Sequence, residues 1–145
     1  MALDENRVSR DYLYGRLLAW AEYIEASTLE MLGENRRTNA EKLVARFVVK
    51  PCETWSIIYR KLQIAYIPRL QYLQNSKGMK GLLLYRWAKG VLESIMDRFS
   101  PEDFSSNERL GDEYLIGYHN QYSWFKKSKE QRGEGMPAGS DSVQQ

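Results

Sequence analysis

The sequence predicts an all-α protein, a bundle of four long helices plus a short one with a disordered C-terminal tail. Apolar residues recur at helical spacing along most of the 145 residues, and no segment alternates with the period of two that a half-buried strand requires. Hydrophobic residues make up 43% of the chain, which is enough for one buried core. We therefore expect a single bundle domain over residues 1–127 and a flexible tail over residues 128–145.

The first two helices have recognisable ends. Ser9 is the expected N-cap of a helix that ends near residue 31, and Gly33 lies where a C-terminal glycine cap is expected. Thr38 and Glu41 have the spacing of a capping box, so a second helix should run from there to about residue 50. Pro51 ends this helix because the residue before a proline avoids the helical conformation.

A third helix should begin at Pro51, whose missing N–H costs nothing in a first turn. Pro68 removes one backbone hydrogen bond and should kink or split this helix. Three isoleucines lie off its main apolar face, so we expect the helix to be covered on more than one side; they are Ile57, Ile64 and Ile67. The main face is expected to carry Trp55, Ile58, Leu62, Ala65, Tyr66, Leu70 and Leu73.

The C-terminal half contains two more long helices and one short one. Residues 75–81 form a turn by composition, and the fourth helix follows over residues 82–99. Gly90 inside that helix is expected to mark a close approach of two helices. Ser100 should cap a short helical turn starting at Pro101, and a fifth helix is expected over residues 107–127.

Composition argues against several classes of protein. No segment approaches the ~20 apolar residues of a membrane-spanning helix, and the charged N-terminus lacks the apolar stretch of an export signal. The single cysteine, Cys52, cannot form an internal disulfide, and one histidine, His119, cannot build an ordinary Cys/His zinc site. We expect a reduced, cytoplasmic protein without a metal or other cofactor. Neither residue lies in a catalytic motif, so we expect no enzymatic activity.

Charge is distributed unevenly along the chain, although the net charge is only +2. Residues 36–89 carry twelve basic and two acidic side chains, a net charge of +10, whereas the segments on either side each carry −4. Clustered like charges repel one another, so this basic segment indicates a polyanionic partner. Lys42, Arg46 and Lys50 are spaced four residues apart and should form a row along the second helix.

The residues that bind nucleic acid are expected within this basic segment. They are Arg36, Arg37, Lys42, Arg46, Lys50, Arg60, Lys61, Lys77, Lys80, Arg86 and Lys89. The sequence has no zinc-finger spacing, basic zipper or short helix-turn-helix, so contacts should go to phosphates, which position a strand without reading it. For any single residue, a solvated cationic face is the simpler alternative. The tryptophans fall mostly on apolar stripes and are expected in the core rather than on unpaired bases.

Three blocks of the sequence resemble one known family. They are RDYLYGRLLAWAEYIE, RRTNAEKLVARFVVKPCETWSIIYRKL and FSPEDFSSNERLGDEYLIGYHNQ, and they fall within about residues 9–122. In this order they are similar to the C-terminal region of the large subunit of the type I-C CRISPR surveillance complex, Cascade. In such systems that region is also made as a separate small subunit by internal translation, and a chain with its own Met1 resembles that small subunit.

The resemblance implies a non-catalytic helical subunit, present in more than one copy, that lies along the crRNA-binding backbone subunits and beside the large subunit. It implies a role in stabilising the R-loop by holding unwound target DNA, mainly the displaced non-target strand, while crRNA is contacted only indirectly. The charge spacing supplies the expected phosphate contacts. The alternative is a purely structural module that bridges the crRNA-binding backbone and the large subunit, with its basic face docked on acidic protein surfaces.

Overall fold

The computed structural model describes residues 3–72 and 80–131, and most of these residues are helical. The helices are α1 (Arg10–Leu32), α2 (Asn39–Lys42), α3 (Val44–Val49), α4 (Pro51–Lys61), α5 (Ile67–Tyr72), α6 (Lys80–Met96), α7 (Pro101–Ser105) and α8 (Glu113–Gln131), with a π-helical turn at Leu62–Tyr66. These two ranges contain no β-strand, which confirms the all-α class, and the long helical segments are α1, α4 to α5, α6 and α8. None of the helices described combines the length and apolar content needed to span a lipid bilayer.

Helix α1 lies at the centre of the bundle. Every residue from position 12 to position 21 is buried, so the helix is covered on all sides rather than along one stripe. The expected caps are present: the Ser9 hydroxyl accepts a hydrogen bond from the Tyr12 N–H, and Gly33 adopts φ 72° in the left-handed region. The helix packs most extensively against α8 and also contacts α2, α4 and α6.

Glycines allow the backbones of α1 and α8 to touch. A Cβ atom at Gly15 would lie 2.0 Å from the Tyr114 carbonyl oxygen, and one at Gly117 would lie 2.1 Å from the Tyr12 carbonyl oxygen. The prediction of a close approach at Gly90 was wrong, because no atom of another described helix lies within 4 Å of a Cβ built there. Gly90 is exposed on α6, and the close approach of two helices lies at Gly15 and Gly117 instead.

The predicted second helix is divided into α2 and α3. Thr38 caps α2 by accepting the Glu41 N–H at 3.1 Å, as expected. Leu43 then leaves the helical conformation, with φ −104° and ψ 9°, while its side chain packs against the core. Lys50 is extended, with φ −137° and ψ 78°, which ends α3 before Pro51 as predicted.

The third predicted helix is interrupted immediately before Pro68. Pro68 has no N–H for the Ile64 carbonyl, and the preceding π turn instead pairs the Ile67 N–H with the Leu62 carbonyl. Ala65, within the π turn, is exposed, contrary to the prediction for the main apolar face. Ile67 is buried, as expected for a helix covered on more than one side. Ile64 is 70% exposed, so the described residues leave this side of the helix largely uncovered.

The C-terminal half follows the prediction with shifted boundaries. Ser100 caps α7 by accepting the Asp103 N–H at 3.1 Å. Helix α8 begins at Glu113, later than expected, because Leu110 donates its N–H to the Val48 carbonyl at 2.8 Å and is thereby held outside the helix. The same helix continues to Gln131, into the segment expected to be flexible. The rest of that tail, residues 132–145, and most of the predicted turn at 75–81 lie outside the described residues.

Aromatic residues fill the core where the helices meet. The Tyr14 ring contacts Phe47, Phe99 and Phe104 with centroids 5.0–6.0 Å apart. Trp20 and Trp55 are buried against each other, as predicted for core residues. The other two tryptophans, Trp87 and Trp124, are partly buried against the core and stack at 5.7 Å. The tryptophan rings are therefore occupied by packing inside the protein.

Candidate nucleic-acid interface

The cations predicted to contact nucleic acid lie at the protein surface wherever their side chains are described. Lys80 is the first residue of α6, and Lys77 lies outside the described residues. The remaining nine are all exposed; they are Arg36, Arg37, Lys42, Arg46, Lys50, Arg60, Lys61, Arg86 and Lys89. Because burying a charge is costly, exposure alone does not separate a binding surface from an ordinary solvated one. The ion pairs made by these residues are therefore the informative feature.

The straight row predicted for Lys42, Arg46 and Lys50 is not formed. Lys42 ends α2, Arg46 lies in α3 and Lys50 is in an extended conformation between α3 and α4. A row of i, i+4 and i+8 positions requires one continuous helix, and the break at Leu43 together with the corner at Lys50 removes it.

The loop between α1 and α2 carries two arginines that are already paired. Arg36 Nε lies 3.2 Å from a Glu34 carboxylate oxygen, and the Arg36 guanidinium lies over the Tyr66 ring, 5.7 Å from its centroid. Glu34 also pairs with Arg69 at 3.7 Å, which draws this loop onto α5. Arg37 pairs with Glu41 at 3.6 Å. Glu34 lies outside the basic segment of the sequence, so its neutralising effect was not predicted.

The corner between α3 and α4 contains one paired and one unpaired cation. Arg46 donates to Glu53 at 2.9 Å. That hydrogen bond, followed by the charge of Lys50, lowers the pKa of Glu53. The Glu53 N–H is bonded in turn to the Asn107 side chain at 3.1 Å. This corner therefore keeps a negative charge beside its cations.

Six of the exposed cations make no ion pair within residues 3–72 and 80–131. They are Lys42, Lys50, Arg60, Lys61, Arg86 and Lys89. We call this set the free cations. Arg86 and Lys89 are three residues apart on α6 and share one face of it. The free cations are the members of the predicted set that form no ion pair with a described carboxylate; among them, Lys50 is still close enough to Glu53 to lower the pKa of that carboxyl group.

The single cysteine and the single histidine do not lie together. Cys52 lies half-buried in the first turn of α4, whereas His119 is exposed on α8 with its ring edge against Tyr118 at 5.5 Å. No hydrogen bond joins these two side chains in the part of the chain that the structure describes. That part also contains no group of three or more His, Cys, Asp or Glu side chains able to hold a metal ion.

The first and last blocks that carry the family resemblance meet between α1 and α8. Arg16 is 2% exposed and donates from Nε to the Gln121 Oε1 atom at 2.7 Å. Burial lowers the pKa of Arg16. Asn120 donates to the Tyr12 hydroxyl at 3.2 Å along the same interface. These motif residues hold the bundle together, a role that separated sequence positions could not reveal.

The fold and side chains described above define an all-α protein that exposes nine of the eleven cations predicted to contact nucleic acid. The family model of the CRISPR-associated protein Cas_Csd1 matches residues 1–126, and the chain belongs to this family. It is thus a type I-C Cascade-related protein and a component of a Cascade-type CRISPR complex. No curated protein and no solved structure matches the chain.

Proposed function

We propose that this protein is the non-catalytic small subunit of a type I-C CRISPR RNA-guided surveillance complex. In this proposal it stabilises the R-loop by sequence-independent phosphate contacts to unwound target DNA, mainly the displaced strand. Its partners would be the crRNA-binding backbone subunits, the large subunit and other copies of the small subunit, in the cytoplasm. Family membership supports the complex, and the free cations support the phosphate contacts.

The observation that carries the proposal is the set of free cations. An exposed lysine or arginine without a carboxylate partner can release counterions from a phosphate backbone without first breaking an ion pair. The paired arginines contribute less to phosphate binding, because each must first leave its carboxylate. An exposed ion pair is worth only about 0–1 kcal/mol, so such an arginine can still exchange its carboxylate for a phosphate. Trp20 and Trp55 are buried, which favours phosphate contacts over stacking on unpaired bases.

The proposal is tested by measuring how target-DNA binding depends on salt in the assembled complex. Three double variants each remove two free cations: Lys42→Ala with Lys50→Ala, Arg60→Ala with Lys61→Ala, and Arg86→Ala with Lys89→Ala. The control removes Lys126 and Lys127, two exposed lysines of α8 outside the basic segment. For single-stranded DNA, each lost phosphate contact should reduce the slope of log K against log salt by about 0.7, or about 1.4 per double variant.

Two results separate this proposal from the structural alternative. If all three double variants keep the slope and affinity of the control, the phosphate-contact proposal is wrong. If the complex loses the small subunit instead, as shown by native mass spectrometry, the cations serve protein docking. The 70% exposure of Ile64, a few residues after Arg60 and Lys61, is the observation that favours this alternative.

A further inference from the structure

A groove opens on the side of the bundle where α1, α2, α3 and α8 meet. Its volume is about 400 Å³, within the range of sites that hold small molecules or side chains. Leu18, Val44 and Leu115 provide apolar walls, Tyr118 provides an aromatic one, and Glu22 and Glu41 provide carboxylates. We call it the acidic groove. It is separate from the free cations, and the proposed DNA contacts do not use it.

Glu22 is the main polar group of the acidic groove. Its carboxylate accepts a hydrogen bond from the Thr38 hydroxyl at 2.5 Å and forms no ion pair with any described cation. Burial raises the pKa of Glu22, and the negative charges of Glu41 and Glu25 act in the same direction. A half-buried carboxylate of this kind is stabilised by an incoming positive charge.

The neighbouring side chains suit an elongated cation. Val44 and Leu115 are 37% and 46% exposed at the rim, where they can pack against an aliphatic stem. Tyr118 is partly buried, and its ring stacks on Tyr122 at 5.8 Å, so its position is held by packing. An aromatic face beside a carboxylate attracts a guanidinium through both charge and the ring electrons.

We propose that the acidic groove binds an arginine side chain presented by another protein subunit of the complex. Charge complementarity supports an arginine, because the groove combines apolar walls with the Glu22 carboxylate, which pairs with no described cation, whereas Glu41 beside it already pairs with Arg37 at 3.6 Å. The negative groove would repel DNA phosphates. A second copy of this chain is a poorer source, because the proposed function assigns most of its exposed arginines to phosphates, namely Arg36, Arg37, Arg46, Arg60 and Arg86. This choice of source alone rests on that function.

Arginine binding is tested with the isolated full-length chain. N-acetyl-arginine amide is added to the ¹⁵N-labelled protein, and amide chemical shifts are followed by NMR. We expect shifts around Val44, Leu115 and Tyr118, and none with the neutral analogue N-acetyl-citrulline amide. Glu22→Gln should weaken binding by about tenfold because it removes the charge-assisted hydrogen bonds, whereas the exposed control Glu93→Gln should not. Equal binding of both probes, or of both variants, overturns the proposal.

Misfolding does not explain a loss of binding in Glu22→Gln. The substitution removes a carboxylate whose burial is unfavourable and keeps an oxygen that accepts from Thr38, so the variant should be at least as stable as the parent at pH 7. A denaturation curve checks this. If Glu22→Gln is less stable than the parent, Glu22→Asp provides a second test, because it alters the packing but keeps the negative charge and should retain more arginine binding than Glu22→Gln; equal loss in both variants overturns the proposal.

The source of the arginine is tested by photo-crosslinking in the assembled complex. A benzoyl-phenylalanine at the exposed position Leu115 should crosslink to a different subunit, within a few residues of an arginine. Crosslinks to a second copy of this chain, to nucleic acid or to no partner would refute the assignment. The Glu22→Gln complex should retain the salt dependence of DNA binding, so failure here is distinguishable from failure of the proposed function.

Discussion

Replacing Gly117 by alanine should force α1 and α8 apart. The added Cβ would lie 2.1 Å from the Tyr12 carbonyl oxygen, whereas ordinary contacts begin at 3.4 Å, so the helices must separate by about 1.3 Å. Overpacking of this kind costs about 1–3 kcal/mol. The shift also stretches the 2.7 Å bond between Arg16 and Gln121, and losing a hydrogen bond to a charged group costs about 1.5–3 kcal/mol. We expect a total destabilisation of about 3 kcal/mol or more.

Gly90→Ala is the matched control because it adds the same methyl group to another helix. Among the described residues, no atom outside the local backbone of α6 lies within 4 Å of the new Cβ. Alanine is also favoured over glycine inside a helix by about 0.5–1 kcal/mol. Urea denaturation followed by circular dichroism should move the midpoint down for Gly117→Ala and up for Gly90→Ala. Typical surface substitutions change the free energy of unfolding by no more than about 0.5 kcal/mol. If the free energy of unfolding of Gly117→Ala lies within that range of the parent value, the reasoning about backbone contact is refuted.

Two further predictions concern polar groups in the bundle. Gln121→Leu should lower the free energy of unfolding by about 2 kcal/mol, because it removes the hydrogen-bond partner of the buried Arg16 charge. Adding Arg16→Met to this variant should recover part of the loss. If denaturation shows that the losses of the two single variants simply add in the double variant, the two residues are not coupled. Burial raises the pKa of Tyr118 to about 12, above the value near 10 expected in the unfolded chain. The stabilisation of the neutral phenol is therefore complete below pH 10 and is lost between pH 10 and 12. Tyr118→Phe should lessen that loss in urea titrations from pH 8 to 11.5, and an unchanged pH dependence would count against the assignment.

The sequence predicted which basic side chains are exposed, but little of how they pair with carboxylates. Which cations would be exposed followed from their charge, since an unpaired charge is rarely buried. Arg16 is the instructive exception, because its partner Gln121 lies on another helix far along the chain. The pairing of Glu34 with Arg69 likewise depends on a loop folding onto α5. No spacing rule could identify such pairs.

Local signals determined the helices and their caps. The capping residues bond to backbone groups within a few residues of themselves, so the sequence alone predicts their effects. They are Ser9, Gly33, Thr38 and Ser100. Pro68 similarly indicated where the third helix would be interrupted.

Only the tertiary structure decided the break at Leu43, the late start of α8 and the glycine contact between α1 and α8. In each case atoms from distant segments compete with the local helix: Leu43 packs on the core, Leu110 bonds to Val48, and Gly117 meets the Tyr12 backbone. The sequence alone specifies the propensity of each segment to form a helix. The free energy of packing the segments together determines where those helices stop and which charges remain unpaired.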